Sequence, residues 1–129
     1  MCPKTYYSSN NTLGLWLVAT PVVPPTQVWL ALFLVSPNPA GGGTEVVGNG
    51  YGRQLVAFSS PVNGQSSNTG TIAFPVDITA DWGTIVAYGV YDASSGGNLL
   101  YYAPLSSPRY VAVNDQVVFP SGQLIATEV

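Results

Sequence analysis

The chain has 129 residues, a net charge of -3 and only three basic side chains, Lys4, Arg53 and Arg109, which removes the electrostatic attraction on which nucleic-acid binding depends. With no histidine and a single cysteine, Cys2, an imidazole base, a Ser-His triad, a thiolate metal site and an intrachain disulfide are excluded. Charged residues make up 7% and hydrophobic residues 47%, against roughly 25% charged in ordinary soluble proteins. So little charge predicts surface that ends against another molecule, as in an assembly subunit; a lectin-like domain surfaced with Ser, Thr, Asn and Gly is the other reading.

This length fits one domain with a core of its own. Met1 to Asn11 reads as a polar arm, and its Asn10-Asn11-Thr12 glycosylation triplet is of a kind that arises by chance. Leu13, Leu15 and Leu17 alternate, while Gly14 and the following prolines disfavour helix, so Leu13 to Thr20 is expected to be extended. Pro21, Pro24 and Pro25 break the apolar stretch that runs on to Val35, so no membrane helix is expected. Lys4 before Leu13 resembles a signal peptide only faintly, and no small-x-small cleavage site follows. Residues 1–26 are therefore expected to form an extended arm beside a domain at 27–129. Its apolar Trp16, Leu17, Pro24 and Pro25 are candidate partner-binding residues.

The central element is Val28 to Val35, eight apolar residues in succession. They are too few to span a bilayer and too apolar on both faces for a half-solvated strand, so a strand covered on both sides is predicted. Val28, Leu30, Leu32 and Leu34 would face one way, and Trp29, Ala31, Phe33 and Val35 the other. Further strands are expected at Gln54 to Phe58, Thr71 to Phe74, Thr84 to Tyr91, Asn98 to Leu105, Tyr110 to Val113, Gln116 to Phe119 and Leu124 to Thr127. Ser94-Ser95-Gly96-Gly97 should close a hairpin, and Ser59 to Gly70 a polar loop turning at Asn63-Gly64. No sustained helical period is present. The fold predicted is all-β, a single antiparallel sandwich of jelly-roll type with an extended N-terminal arm.

Few residues can carry chemistry. Gly48-Asn49-Gly50-Tyr51-Gly52 lacks the Lys-Ser/Thr of a phosphate loop and reads as a turn or bulge. Asp77 and Asp81, four apart, are the only paired carboxylates of note, and neither catalysis nor a calcium loop is supported by their surroundings. Asp81 is expected to accept backbone N–H bonds at a corner and hold Trp82 in the core. Arg53 is expected to pair with Glu45 and clamp the glycine-rich loop between them. No enzyme activity, cofactor or metal is expected. Trp16, Trp29, Trp82 and the eight tyrosines are the only material for a ligand surface.

Several motifs resemble a known family in order and spacing: Trp29-Leu30-Ala31-Leu32-Phe33, Gly50-Tyr51-Gly52-Arg53-Gln54, Ala80-Asp81-Trp82-Gly83-Thr84, Tyr88-Gly89-Val90-Tyr91-Asp92, Gly96-Gly97-Asn98-Leu99-Leu100-Tyr101-Tyr102 and Phe119-Pro120-Ser121-Gly122. From Val28 to Ile125 the chain is similar to small virion structural proteins of tailed bacteriophages, often labelled tail fibre protein, some resembling head decoration proteins. The N-terminal segment departs from those relatives, which begin with a charged, Leu-rich segment of helical appearance. The resemblance implies location in the virion, no catalytic residues and no cofactor. It implies a capsid decoration or cement protein bound to the major capsid protein as a homo-oligomer, with a tail or tail-fibre component as the alternative. A carbohydrate-binding sandwich reading host glycans is the third reading. Neither nucleic acid nor membrane is an expected partner.

Overall fold

A computed structural model of the chain describes residues 4–48, 50–76 and 79–127. Cys2, Asn49 and Asp77 lie outside the described residues, and with them the Asp77–Asp81 pairing. Among the described residues there is one helix, α1 (Tyr6–Leu17), followed by nine strands: β1 (Val28–Val35), β2 (Thr44–Glu45), β3 (Gln54–Val56), β4 (Gln65–Ser67), β5 (Ile72–Ala73), β6 (Gly83–Tyr91), β7 (Leu99–Val111), β8 (Val118–Phe119) and β9 (Ile125–Thr127).

The described strands are all paired antiparallel. The main sheet runs β2-β1-β6-β7, with β3 also paired to β1, and β4–β9 and β5–β8 form separate two-stranded ladders. β1 is the pivot, because its uninterrupted apolar residues can be buried on both faces. Leu30 and Leu32 enter a large core with Val46, Val56, Phe74, Trp82, Ile85, Val111, Val117 and Leu124, to which the small ladders contribute Ile72 and half-buried Phe119. Ala31 and Phe33 enter a smaller cluster with Ala87, Leu99 and Tyr102 on the opposite face. Tyr101 packs against the first cluster and Tyr102 belongs to the second, as the alternation of a strand requires.

The hairpin of β6 and β7 closes through Gly96 and Gly97, at φ of 62° and 72°, a region that glycine enters without steric cost. The Asp92 carboxylate accepts the Asn98 N–H at 2.7 Å across this turn. Two adjacent elements differ from expectation. Tyr110 continues β7, which a register shift opposite Val86 carries past Pro104 and Pro108. The segment expected as a polar loop contains β4, because Asn63-Gly64 at φ of 53° and 74° folds Gln65 back onto Val62 through a pair of hydrogen bonds of 2.9 and 3.0 Å.

The N-terminal segment corrects the expectation of an extended arm, since Tyr6–Leu17 is helical. Thr5 supplies the reason as N-cap: its side chain accepts the Ser8 N–H at 3.3 Å. No proline occurs between Lys4 and Thr20, and the single Gly14 costs only about 1 kcal/mol relative to alanine. The prolines act after the helix, where residues 18–27 are without helix or strand. Among the described residues no helix is long and apolar enough to cross a membrane.

Candidate functional site

Helix α1 is built from poor helix formers, Ser8, Ser9, Asn10, Asn11, Thr12 and Gly14 among them, and none of its residues is buried. Isolated helices of this length are marginal in water, and most helical stability in proteins comes from packing of one face. What holds α1 to the sheet is concentrated at Thr5, only 2% exposed. Its hydroxyl donates to the Leu99 carbonyl at 2.5 Å, its N–H donates to the Leu100 carbonyl at 3.2 Å, and the Tyr6 N–H reaches the Pro39 carbonyl at 2.6 Å. Lys4 donates to the Thr12 hydroxyl at 2.9 Å.

Two faces of α1 then separate. Tyr7, Ser8, Asn11, Thr12 and Leu15 turn toward the body across a cleft of about 400 Å³ whose far side is Val22 to Pro25, with Asp92 and Leu100 also lining it. Tyr6, Leu13, Trp16 and Leu17 share the opposite face by their helical spacing. They are 61%, 54%, 78% and 76% exposed. Of the candidate partner-binding residues, Trp16 and Leu17 thus lie together on the outward face, whereas Pro24 and Pro25 line the cleft behind the helix. Tyr6 and Leu13 were not singled out from the sequence. The signal that finds them is the spacing of Tyr6, Leu13 and Leu17 behind a Thr cap, obscured by the alternation of Leu13, Leu15 and Leu17.

A second constellation braces the glycine loop. Arg53 meets Glu45 through two bonds of 2.9 Å, Nε to Oε2 and Nη2 to Oε1. Its Nη1 donates to the Ala93 and Gly96 carbonyls at 2.9 and 2.7 Å, and its guanidinium lies 3.6 Å from the centre of the Tyr91 ring. One planar cation therefore ties the loop after β2 to the β6–β7 turn. Desolvation opposes the charge of Arg53, yet the Glu45 hydrogen bonds and charge outweigh it and raise the guanidinium above its ordinary value. Tyr51 donates to Glu45 Oε2 at 2.6 Å, and burial, reinforced by that carboxylate, pushes its phenol strongly up.

Within the large core, Trp82 is 4% exposed and meets Tyr51 edge-on with ring centres 5.5 Å apart. Its neighbour Asp81 accepts the Tyr110 hydroxyl and the Val113 N–H, the latter at 2.9 Å. The Tyr110 bond first and the Val113 bond second hold this exposed carboxyl below its ordinary value. Asn68, not singled out from the sequence, is a buried staple. Its amide donates to the Gly70 and Pro120 carbonyls at 2.8 and 3.1 Å and accepts the Leu124 N–H at 3.0 Å.

Neither constellation presents a nucleophile beside a base. Gly48 and Gly50 both have positive φ, and the Tyr51 N–H returns to the Gly48 carbonyl at 2.9 Å, which is turn geometry. Among the described residues no three His, Cys, Asp or Glu side chains gather as a metal site. The surface that stands out is the outward face of α1. A family model described as podophage GP4 fiber I protein gp80 matches residues 3–127. The chain belongs to this fibre family. Membership makes it a virion structural component of phage type, and its N-terminal helix falls within the matched region. No curated protein matches the chain.

Proposed function

We propose that the chain is a non-enzymatic tail-fibre component that joins other virion protein through the apolar outward face of α1. The observation that carries this reading is the exposure of Trp16 and Leu17, 78% and 76%, on a helix none of whose residues is buried. Buried apolar surface and backbone hydrogen bonds drive such an attachment, since charge is scarce. The partner class is protein rather than nucleic acid or membrane. We read the β domain as a sandwich in the jelly-roll manner, the two small ladders covering one face of the main sheet and leaving α1 free to engage. The name of the matching family favours the tail over the capsid-decoration placement suggested by composition and apolar flanks.

Copy number per particle tests the placement. Quantitative mass spectrometry of purified virions is expected to find a few dozen copies at most; hundreds would assign the protein to the head. Attachment is tested separately by salt. Raising it from about 0.1 to 1 M shortens the Debye length from about 10 to 3 Å, and the protein is expected to stay bound. Deleting residues 1–20 is expected to leave the β domain folded but absent from particles, and incorporation of the truncated chain at the wild-type level would overturn the attachment reading.

A further inference from the structure

We propose that the root of α1 carries a saccharide subsite, in which two clefts that meet at Tyr7 form a groove for a short, uncharged oligosaccharide. The inference stands apart from the attachment reading, because neither Trp16 nor Leu17 lines the groove.

The first cleft, about 400 Å³, is the one between α1 and Val22 to Pro25. The second, about 410 Å³, opens between the start of α1, the Pro39 to Gly42 turn and the Tyr91 and Asn98 side of the β6–β7 hairpin. Both fall in the range of roughly 300–1,000 Å³ typical of small-molecule sites. Tyr7 lines both. The clefts are joined a second time through the hairpin, where Asp92 of the first accepts the Asn98 N–H of the second at 2.7 Å and its Nδ2 at 3.2 Å.

The lining selects the class of ligand. A sugar ring has an apolar C–H face and a rim of hydroxyls that donate and accept, so it calls for flat apolar surface bordered by neutral polar groups. Tyr7 is 44% exposed, and Tyr6, at the anchored end of the outward face, also lines the second cleft and is 61% exposed; both keep ring surface for stacking and a phenol at its edge. Asn11 lies one helical turn beyond Tyr7 and lines the first cleft, so a ring stacked on Tyr7 is within reach of its carboxamide. Asn98 spends one amide hydrogen on Asp92 and keeps the other, with its Oδ1, for a ligand. Gly41, at φ 106°, leaves bare backbone on the opposite wall, where an added methyl would meet nothing within 4 Å. Among the described residues no basic side chain lines either cleft and Asp92 is the one charged group that does, while the nearby Lys4 ammonium donates to Thr12. Phosphates, nucleotides and acidic sugars thus lack the cation they require.

Saturation-transfer difference NMR on the full chain tests the site, with neutral tri- and tetrasaccharides of glucose, galactose, rhamnose and N-acetylglucosamine as probes at millimolar concentration. Transfer to the ring C–H protons of at least one probe is expected. Tyr7→Ala is expected to weaken that binding by about tenfold or more, and Tyr7→Phe, which keeps the ring, to retain it. Asn11→Ala, a substitution that favours the helix, is expected to weaken binding as well, so the loss cannot be laid to unfolding of α1. Trp16→Ala, on the outward face, is expected to bind as the wild type does. No transfer from any probe, undiminished binding by Tyr7→Ala, loss of binding on Trp16→Ala, or a preference for uronic-acid or phosphorylated saccharides over the neutral ones would overturn the proposal.

Discussion

The hydroxyl of Tyr51 lies 3.1 Å from the backbone nitrogen of Leu32 and accepts its N–H. That edge of β1 is paired with β3 over Val28 to Leu30 and with β2 from Phe33 onward, which leaves a gap where the two short strands fail to meet. Tyr51 fills it on the donor side, and the Val46 N–H, 3.0 Å from the Leu32 carbonyl, fills it on the acceptor side. A phenol thus completes a backbone ladder while its ring stacks on Phe74. Tyr51→Phe keeps the ring and orphans a buried N–H, at an expected cost of about 1–3 kcal/mol. The urea midpoint should fall and the Leu32 amide exchange faster; an unchanged midpoint would show that solvent replaces the phenol.

Arg53→Lys retains the charge but loses the planar fork to Glu45 and the stacking on Tyr91, since an ammonium is a point donor. The expected loss is about 1–3 kcal/mol, felt as loosening of residues 41–52. Limited proteolysis should cut that segment faster in the variant, and equal resistance would count against the brace.

Trp82→Ala removes the edge-on partner of Tyr51 from a buried site and is expected to cost about 3–5 kcal/mol. Calorimetry measures it directly. An unchanged melting temperature with lost incorporation into particles would instead make Trp82 a contact residue.

The Asp81 carboxyl has a folded value below its ordinary 3.8, caused by the Tyr110 hydroxyl first and the Val113 N–H second. A depressed acid stabilises the fold above its unfolded value and loses that contribution as pH falls through the folded one. The melting difference between wild type and Asp81→Asn is therefore expected to be flat near neutrality and to shrink below about pH 4. A difference that stays constant through strong acid would exclude this ionisation.

Gly14 sits inside α1 with a negative φ, and an added methyl would meet Thr20 Cβ at 3.6 Å, an ordinary contact. Gly14→Ala is expected to stabilise the helix by about 0.5–1 kcal/mol. Helical circular dichroism at 222 nm should rise slightly, and destabilisation would show that the turn through Ala19, at φ 56°, needs glycine freedom upstream.

What was legible in the sequence follows the range of the interactions involved. β1 is legible because eight apolar residues admit few other uses, and the β6–β7 hairpin because Gly96 and Gly97 mark its turn. Arg53 and Glu45 stand eight residues apart in a chain so poor in charge that each has few partners to choose from. α1 is obscured because the bonds that hold it, from Thr5 to Leu99 and Leu100, join residues 94 and 95 positions apart. Local propensity opposes the helix over Ser8 to Thr12, and the prolines belong to the segment after it. Asn68 is hidden for the same reason, with partners 52 and 56 positions away in Pro120 and Leu124.

Strand β7 ends the main sheet, and its outer edge carries Pro104 and Pro108. Open strand edges zip into continuous sheets when chains are brought close together. Each proline withdraws a donor from that edge, Thr5 occupies the carbonyls of Leu99 and Leu100, and Arg109 adds a charge near the far end. At the opposite margin β1 is covered by strands of only two and three residues, too short to template an incoming chain. Both margins of the main sheet are therefore poor templates for an added strand, and any protein pressed against it meets side chains before backbone.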